Sequence, residues 1–166
     1  MADLTSKEHL QPSLLDRLTD LNPASKTDTL EERVMSLRRL RESVIRDLEW
    51  LLNTGCLETS KELGGYPEVR KSVLNYGIPE ISGTSASGKD SASIERDIRQ
   101  AIQDFEPRIL PETLKVAVAI DAAETSGNTI TFEIQGELWW QPLPERFYLK
   151  AKLDLELGKF KRDLKE

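Results

Sequence analysis

Apolar residues along the chain recur with two periods, and the change of period divides it. Over residues 29–53, Leu30, Val34, Leu37, Val44, Ile45, Leu48, Leu51 and Leu52 fall at the three- and four-residue spacing of one helical face. This predicts one long amphipathic helix. Its other face carries Glu31, Glu32, Arg38, Arg39, Arg41, Glu42 and Arg46 as a solvated surface with opposite charges three or four apart. A second helix is predicted from about Ser93, with Ile94, Ile98, Ala101, Ile102 and Phe105 on one side and Pro107 as its stop. Beyond it the period falls to two. Leu114, Val116, Val118 and Ile120 form one alternating set; Ile130, Phe132, Ile134, Leu138 and Trp140 a second; Phe147, Leu149, Ala151, Leu153 and Leu155 a third. Each set predicts a strand with one apolar face. Ser126-Gly127-Asn128 is a hairpin signal, and Gln141-Pro142-Leu143-Pro144 joins the last two sets. The expected fold class is α+β: an antiparallel β-meander of about three to four strands, covered by the two main amphipathic helices.

The remaining segments are punctuation around this plan. Ser13-Leu14-Leu15-Asp16-Arg17-Leu18 reads as a short amphipathic helical turn ending before Asn22-Pro23, within an N-terminal docking segment over residues 1–28. Gly64-Gly65-Tyr66-Pro67 is a turn, followed by a short helical stretch over residues 69–74 and by Asn75-Tyr76-Gly77-Ile78-Pro79, where Gly77 is expected to adopt a backbone angle that other residues resist. Residues 82–93, rich in Gly, Ser, Thr, Ala, Lys and Asp, read as a flexible surface loop. Residues 159–166 read as a polar tail, frayed or helical. The expectation is thus a single domain over residues 29–158, flanked by the docking segment and the tail.

Charge and rare residues then narrow the chemistry. With 23 Lys+Arg against 29 Asp+Glu the chain carries −6, and its cations mostly alternate with acids, which excludes the clustered positive surface a nucleic acid requires. Cys56 has no second cysteine for a disulfide, and with His9 it makes too few soft ligands for a zinc site, so no metal or cofactor is expected. The first residues lack the apolar run of a secretory signal, and the aliphatic run from Val116 to Ile120 is far shorter than the ~20 residues that cross a bilayer. A cytoplasmic protein without membrane insertion is expected. No glycine-rich phosphate cradle is present, Cys56 has no placed histidine base, and Gly83-Thr84-Ser85-Ala86-Ser87-Gly88 lacks the strand and helix of a nucleophile elbow. No catalytic residue is assigned. Glu106, directly before Pro107 and Arg108 at the end of the second helix, is the acid in an unusual position; a helix-terminating turn with an internal ion pair and a partner contact both account for it. Trp139 and Trp140, adjacent on a strand, must point to opposite faces, one into the core and one outward. Edge strands of a small meander also present backbone groups that a partner strand can pair with.

Three stretches together carry a family resemblance: Ser13-Leu14-Leu15-Asp16-Arg17-Leu18; Arg70-Lys71-Ser72-Val73-Leu74-Asn75-Tyr76-Gly77-Ile78-Pro79; and Ile102-Gln103-Asp104-Phe105-Glu106-Pro107-Arg108. In this order and spacing they resemble the TssE family of type VI secretion baseplate proteins, which is similar to the lysozyme-like wedge proteins of contractile phage baseplates. The resemblance implies a structural role in the baseplate wedge beside TssF, TssG and TssK, and an adaptor role on which the contractile TssB/TssC sheath begins to polymerise. It implies that Glu106, Pro107 and Arg108 form the wedge contact, and that the meander resembles a sheath-protein domain able to take up strands from the next ring. The alternatives are a peptidoglycan-degrading enzyme, suggested by the lysozyme-like name and the abundance of acids, and the equivalent subunit of a phage tail or extracellular contractile injection machine. The positioned acid pair that a glycosidase requires is not evident in the sequence.

Overall fold

The long helix predicted around residues 29–53 is observed as Leu37–Leu52, opened by Ser36, whose hydroxyl accepts from the Arg39 N–H at 3.3 Å. The computed structural model describes residues 13–19, 36–80, 88–119, 129–140, 143–154 and 156–162. The predicted first turns of this helix, the Ser126-Gly127-Asn128 hairpin, Gln141-Pro142, Ile120 and Leu155 lie outside them. Among the described residues there are four α-helices: α1 (Leu14–Leu18), α2 (Leu37–Leu52), α3 (Pro67–Arg70) and α4 (Gly88–Phe105). Four strands follow: β1 (Lys115–Ala119), β2 (Thr129–Leu138), β3 (Glu145–Asp154) and β4 (Lys159–Arg162).

Helix α2 buries Val44, Leu48, Leu51 and Leu52 of the predicted stripe and, in addition, Leu40, which lies outside that set, while α4 buries Ile94, Ile98, Ala101 and Ile102 as its spacing predicts. Both stripes join one hydrophobic core with Val116, Phe132, Ile134, Leu138, Phe147, Leu149, Ala151, Leu153 and Phe160 from the apolar face of the sheet. The strand order is β1-β2-β3-β4 with every neighbouring pair antiparallel, an open meander in an α+β fold.

Three segments differ from expectation. Residues 88–92, assigned to the surface loop, belong to α4. Once Ile94 and Ile98 seat the helix on the core, each further residue adds a hydrogen bond at little cost, so a polar sequence suffices to extend it. The Lys159–Arg162 segment, assigned to a tail, is β4, paired with β3 through Leu153↔Phe160 and its neighbours. Phe160 is buried and lies against Phe132, with ring centroids 5.8 Å apart, while Lys159, Lys161 and Arg162 are exposed. One aromatic among charges is too short a pattern to show a period of two, yet a short, charged strand is what a sheet edge tolerates. The helical stretch near residues 69–74 is two pieces: α3, which places Pro67 in its first turn, and a 3-10 turn at Val73–Asn75.

Gly77 has φ +123°, and a Cβ there would lie 2.3 Å from the Thr54 carbonyl oxygen. This close approach lets Ile78 bridge Gly55, with Cys56 N–H donating to the Ile78 carbonyl and Ile78 N–H to that of Thr54, each at 2.9 Å. The Asn75-Tyr76-Gly77-Ile78-Pro79 motif is thereby fastened beside the C-terminal end of α2.

The sheet edges are β1 and β4, and side chains from α4 and from Asn53, the C-cap of α2, already bond to them. Glu95 of α4 accepts from the Val118 N–H at 2.7 Å and Arg99 donates to the Val116 carbonyl at 3.3 Å. On β4, the Asn53 carboxamide accepts from the Phe160 N–H at 2.9 Å and donates to the Phe160 carbonyl at 3.1 Å.

Candidate functional site

Helix α4 ends at Phe105, and the chain turns through Glu106-Pro107-Arg108 before Ile109 bridges Leu138 at the end of β2. The turn is held on both sides: Glu106 N–H donates to the Ile102 carbonyl at 2.9 Å, and Trp139 N–H to that of Arg108 at 2.7 Å. Pro107 is exposed and Glu106 is buried at 3% exposure. Burying a carboxylate is costly unless it is paired and hydrogen-bonded. Arg108 supplies the pair: its Nε donates to Glu106 Oε1 at 2.6 Å, its backbone N–H to the same oxygen at 3.2 Å, and its Nη2 contacts Glu106 Oε2.

The same guanidinium reaches α2. Nη2 donates to Asp47 Oδ2 at 2.6 Å and Nη1 to the hydroxyl of Ser43 at 3.1 Å. Ser43 is a buried polar residue within the apolar stripe of α2, and its hydroxyl donates in turn to the Leu40 carbonyl at 2.9 Å. Asp47 is shared with Arg46, whose Nε donates to Oδ1 at 2.9 Å; Arg46 Nη2 stands 2.8 Å from the same oxygen as an ion contact without hydrogen-bond alignment. Arg46 Nη1 donates to Asp16 Oδ1 of α1 at 2.6 Å, and Ser13, the N-cap of α1, donates to Asp16 Oδ2 at 2.6 Å. Arg46 also lies over the Trp50 ring, 5.3 Å from its centroid. Tyr76 closes the rim, its hydroxyl 3.4 Å from the Asp47 carbonyl and its ring edge-on to Phe105 at 5.4 Å between centroids.

The electrostatics follow from this chain of alternating charges. Burial alone would raise the Asp16 carboxyl, but hydrogen bonds from Arg46 and Ser13, with the positive charges of Arg46 and Arg108, outweigh it and hold it below the usual carboxylate range. The hydrogen bond to Asp16 leads the effects that raise Arg46. Arg108 is disfavoured as a cation by burial, yet its bonds to Glu106 and Asp47 more than compensate and raise it. Burial, helped by the negative charges of Asp47 and Glu106, raises the Tyr76 phenol. Among the described residues no group of three His, Cys, Asp or Glu side chains is placed to hold a metal ion, and no helix is long and apolar enough to cross a membrane.

The three motifs that carried the resemblance therefore meet at one place: Asp16 from the first, Tyr76 from the second, Glu106 and Arg108 from the third. Of the two sequence readings of Glu106-Pro107-Arg108, the helix-terminating turn with an internal ion pair is present, and Pro107 stands at the surface between the two paired residues. The residues on α2 that join the motifs, Ser43, Arg46 and Asp47, were missed. Arg46 looked like part of the solvated face, although a serine inside the apolar stripe followed by an adjacent Arg-Asp pair at its border marks a polar seam. Trp139 is half exposed and Trp140 packs against the core, the opposed placement expected, although both lie just past the end of β2.

Over residues 38–143, well over half of the chain, the sequence matches the family of baseplate wedge protein gp25. The matched span includes Ser43, Arg46, Asp47, Tyr76, Glu106, Pro107 and Arg108. Among curated proteins none matches the chain. The convergence of the motifs on one charged seam of an α+β domain and the match across that seam lead to one conclusion: the chain belongs to the baseplate wedge protein gp25 family, the family of TssE-like baseplate subunits, and its role is that of a structural baseplate component.

Proposed function

We propose that the chain is the baseplate subunit of a type VI secretion machine, working in the cytoplasm as a non-enzymatic adaptor between the wedge and the contractile sheath. Its wedge partners are TssF, TssG and TssK, met at the surface around Glu106, Pro107 and Arg108, and its sheet takes up strands from TssB/TssC sheath subunits. The observation that carries this reading is the exposed Pro107, held rigid because the residues on either side of it are fastened inward. A rigid, pre-ordered turn loses little entropy on docking, as suits an assembly contact. Support for a non-enzymatic role comes from the site's carboxylates: Asp16, Asp47 and Glu106 are each engaged by a guanidinium.

Co-purification with the wedge and sheath subunits tests the proposal, comparing the native chain with Pro107→Ala and Arg108→Ala. The expected result is a wedge complex with the native chain, weakened by Pro107→Ala without loss of folding. Native-like wedge binding by both variants removes the turn from the interface. Absence of any complex with the native chain, together with cell-wall turnover by the purified protein, replaces the adaptor with a hydrolase.

A further inference from the structure

An antiparallel edge strand turns the N–H and C=O of every second residue outward, where a further strand would bond to them. On β4 those residues are Phe160 and Arg162, since the backbone groups of Phe160 face Asn53 rather than β3. The Asn53 carboxamide presents one N–H donor and one carbonyl acceptor to them, the same two groups that an opposing residue's backbone offers. Its other amide hydrogen goes to the Glu49 carbonyl at 2.7 Å, anchoring the side chain to the last turn of α2. An open groove of about 300 Å³ runs along this edge, lined by Glu49, Asn53, Phe160, Lys161 and Arg162. At the opposite edge, β1 is held by two charged side chains of α4, Glu95 and Arg99.

From this contrast we infer that the outer edge of β4 is an acceptor site for an extended peptide strand, with Asn53 as a latch that occupies the strand's hydrogen-bonding positions until the partner displaces it. The inference rests on the proposed strand uptake and names the edge that performs it. Helices pack against both edge strands, α4 against β1 and α2 against β4, so the difference lies in the bonds themselves: displacing one neutral amide costs less than retracting two charge-assisted bonds. Lys159, Lys161 and Arg162 are exposed around the buried Phe160, so the accepted strand carries acidic side chains. Before the partner arrives, the latch also blunts an edge that would otherwise template self-association.

The test titrates purified sheath subunits onto the full chain and onto three variants, each first checked for native circular dichroism and a cooperative unfolding transition. Asn53→Ala removes the competitor and is expected to bind about threefold or more tighter, the weight of a net hydrogen bond or two. Arg162→Pro deletes an outward N–H that β3 does not use and is expected to weaken binding at least about tenfold. The double variant Glu95→Ala/Arg99→Ala, which frees β1, leaves binding unchanged, and added salt weakens binding by the native chain. Native affinity in both β4 variants, or a change confined to the β1 variant, overturns the assignment while leaving sheath binding itself intact. If the native chain binds no sheath subunit, strand uptake from the sheath fails and the edge is judged on the chain alone by sedimentation. Asn53→Ala that self-associates, and ceases to when Arg162→Pro is added, supports the acceptor edge; a monomeric Asn53→Ala overturns it.

Discussion

Arg108 Nη2 donates to Asp47 Oδ2 at 2.6 Å, joining the turn after α4 to the middle of α2. The guanidinium simultaneously neutralises Glu106, so a surface-looking Glu-Pro-Arg motif is a fastening between the two helices that cover the sheet. This couples any binding role of the motif to the stability of the domain.

Replacing Arg108 with Ala strands the buried Glu106 carboxylate and is expected to destabilise the domain by roughly 3 kcal/mol, the range for breaking an enclosed pair from one side. Glu106→Gln/Arg108→Met, which removes both charges, should lose clearly less than the single change. Urea unfolding of the single and double variants measures the coupling. Equal losses would mean that the pair contributes only packing.

Gly77→Ala is expected to cost about 2 kcal/mol or more, because the residue has a positive φ and its Cβ would collide with the Thr54 carbonyl. Gly65→Ala, where a Cβ meets nothing within 4 Å, is the control and should stay within about 0.5 kcal/mol. Thermal unfolding of the two variants side by side gives the comparison.

The attachment of α1 should weaken in acid. The Asp16 carboxyl is held below its usual value of 3.8 in the folded chain, so its contribution is complete above that value and is lost as pH falls through the lower, folded one. Amide resonances of Arg17 and Thr19 should therefore move on acidification while core amides stay in place, and Asp16→Asn should show the moved positions at neutral pH. Resonances in the Asn variant that match the native ones would show that the ion pair does not hold α1.

Phe160→Ala should cost about 3 kcal/mol, as for a buried aromatic side chain, and should lower the protection of β3 amides in hydrogen exchange. A residue in a frayed tail would show neither effect.

Trp140→Ala should destabilise by about 1–2 kcal/mol, whereas Trp139→Ala should stay within about 0.5 kcal/mol, its ring being half exposed while its backbone N–H bond to Arg108 survives the substitution. A larger loss for Trp139 than for Trp140 in urea unfolding would reverse the assignment of the two faces.

The hydrophobic periods of α2, α4 and the three longer strands were legible because burial repeats with the geometry of the element itself: Val44, Leu48 and Leu51 share a face in any helix, and Phe132 and Ile134 in any strand. Gly77 was legible for the same local reason. Strand β4 was not, since Phe160 is a single apolar residue among Lys159, Lys161 and Arg162, and it becomes a strand only because β3 offers an unpaired edge and the core a place for its ring. The extra turn of α4 similarly required a helix already seated by Ile94 and Ile98.

By itself, then, the sequence determined the α+β plan, the apolar faces and the motifs that mark the baseplate wedge family, all of which rest on spacing along the chain. Only the tertiary structure decided that Asp16, Arg46, Asp47, Glu106 and Arg108 form one seam, and that Asn53, Glu95 and Arg99 cover the sheet edges. Partners such as Asp47 and Arg108 lie 61 residues apart, and no local periodicity records which charged side chain will face which once helices dock on a sheet; that is set by the packing of the apolar faces.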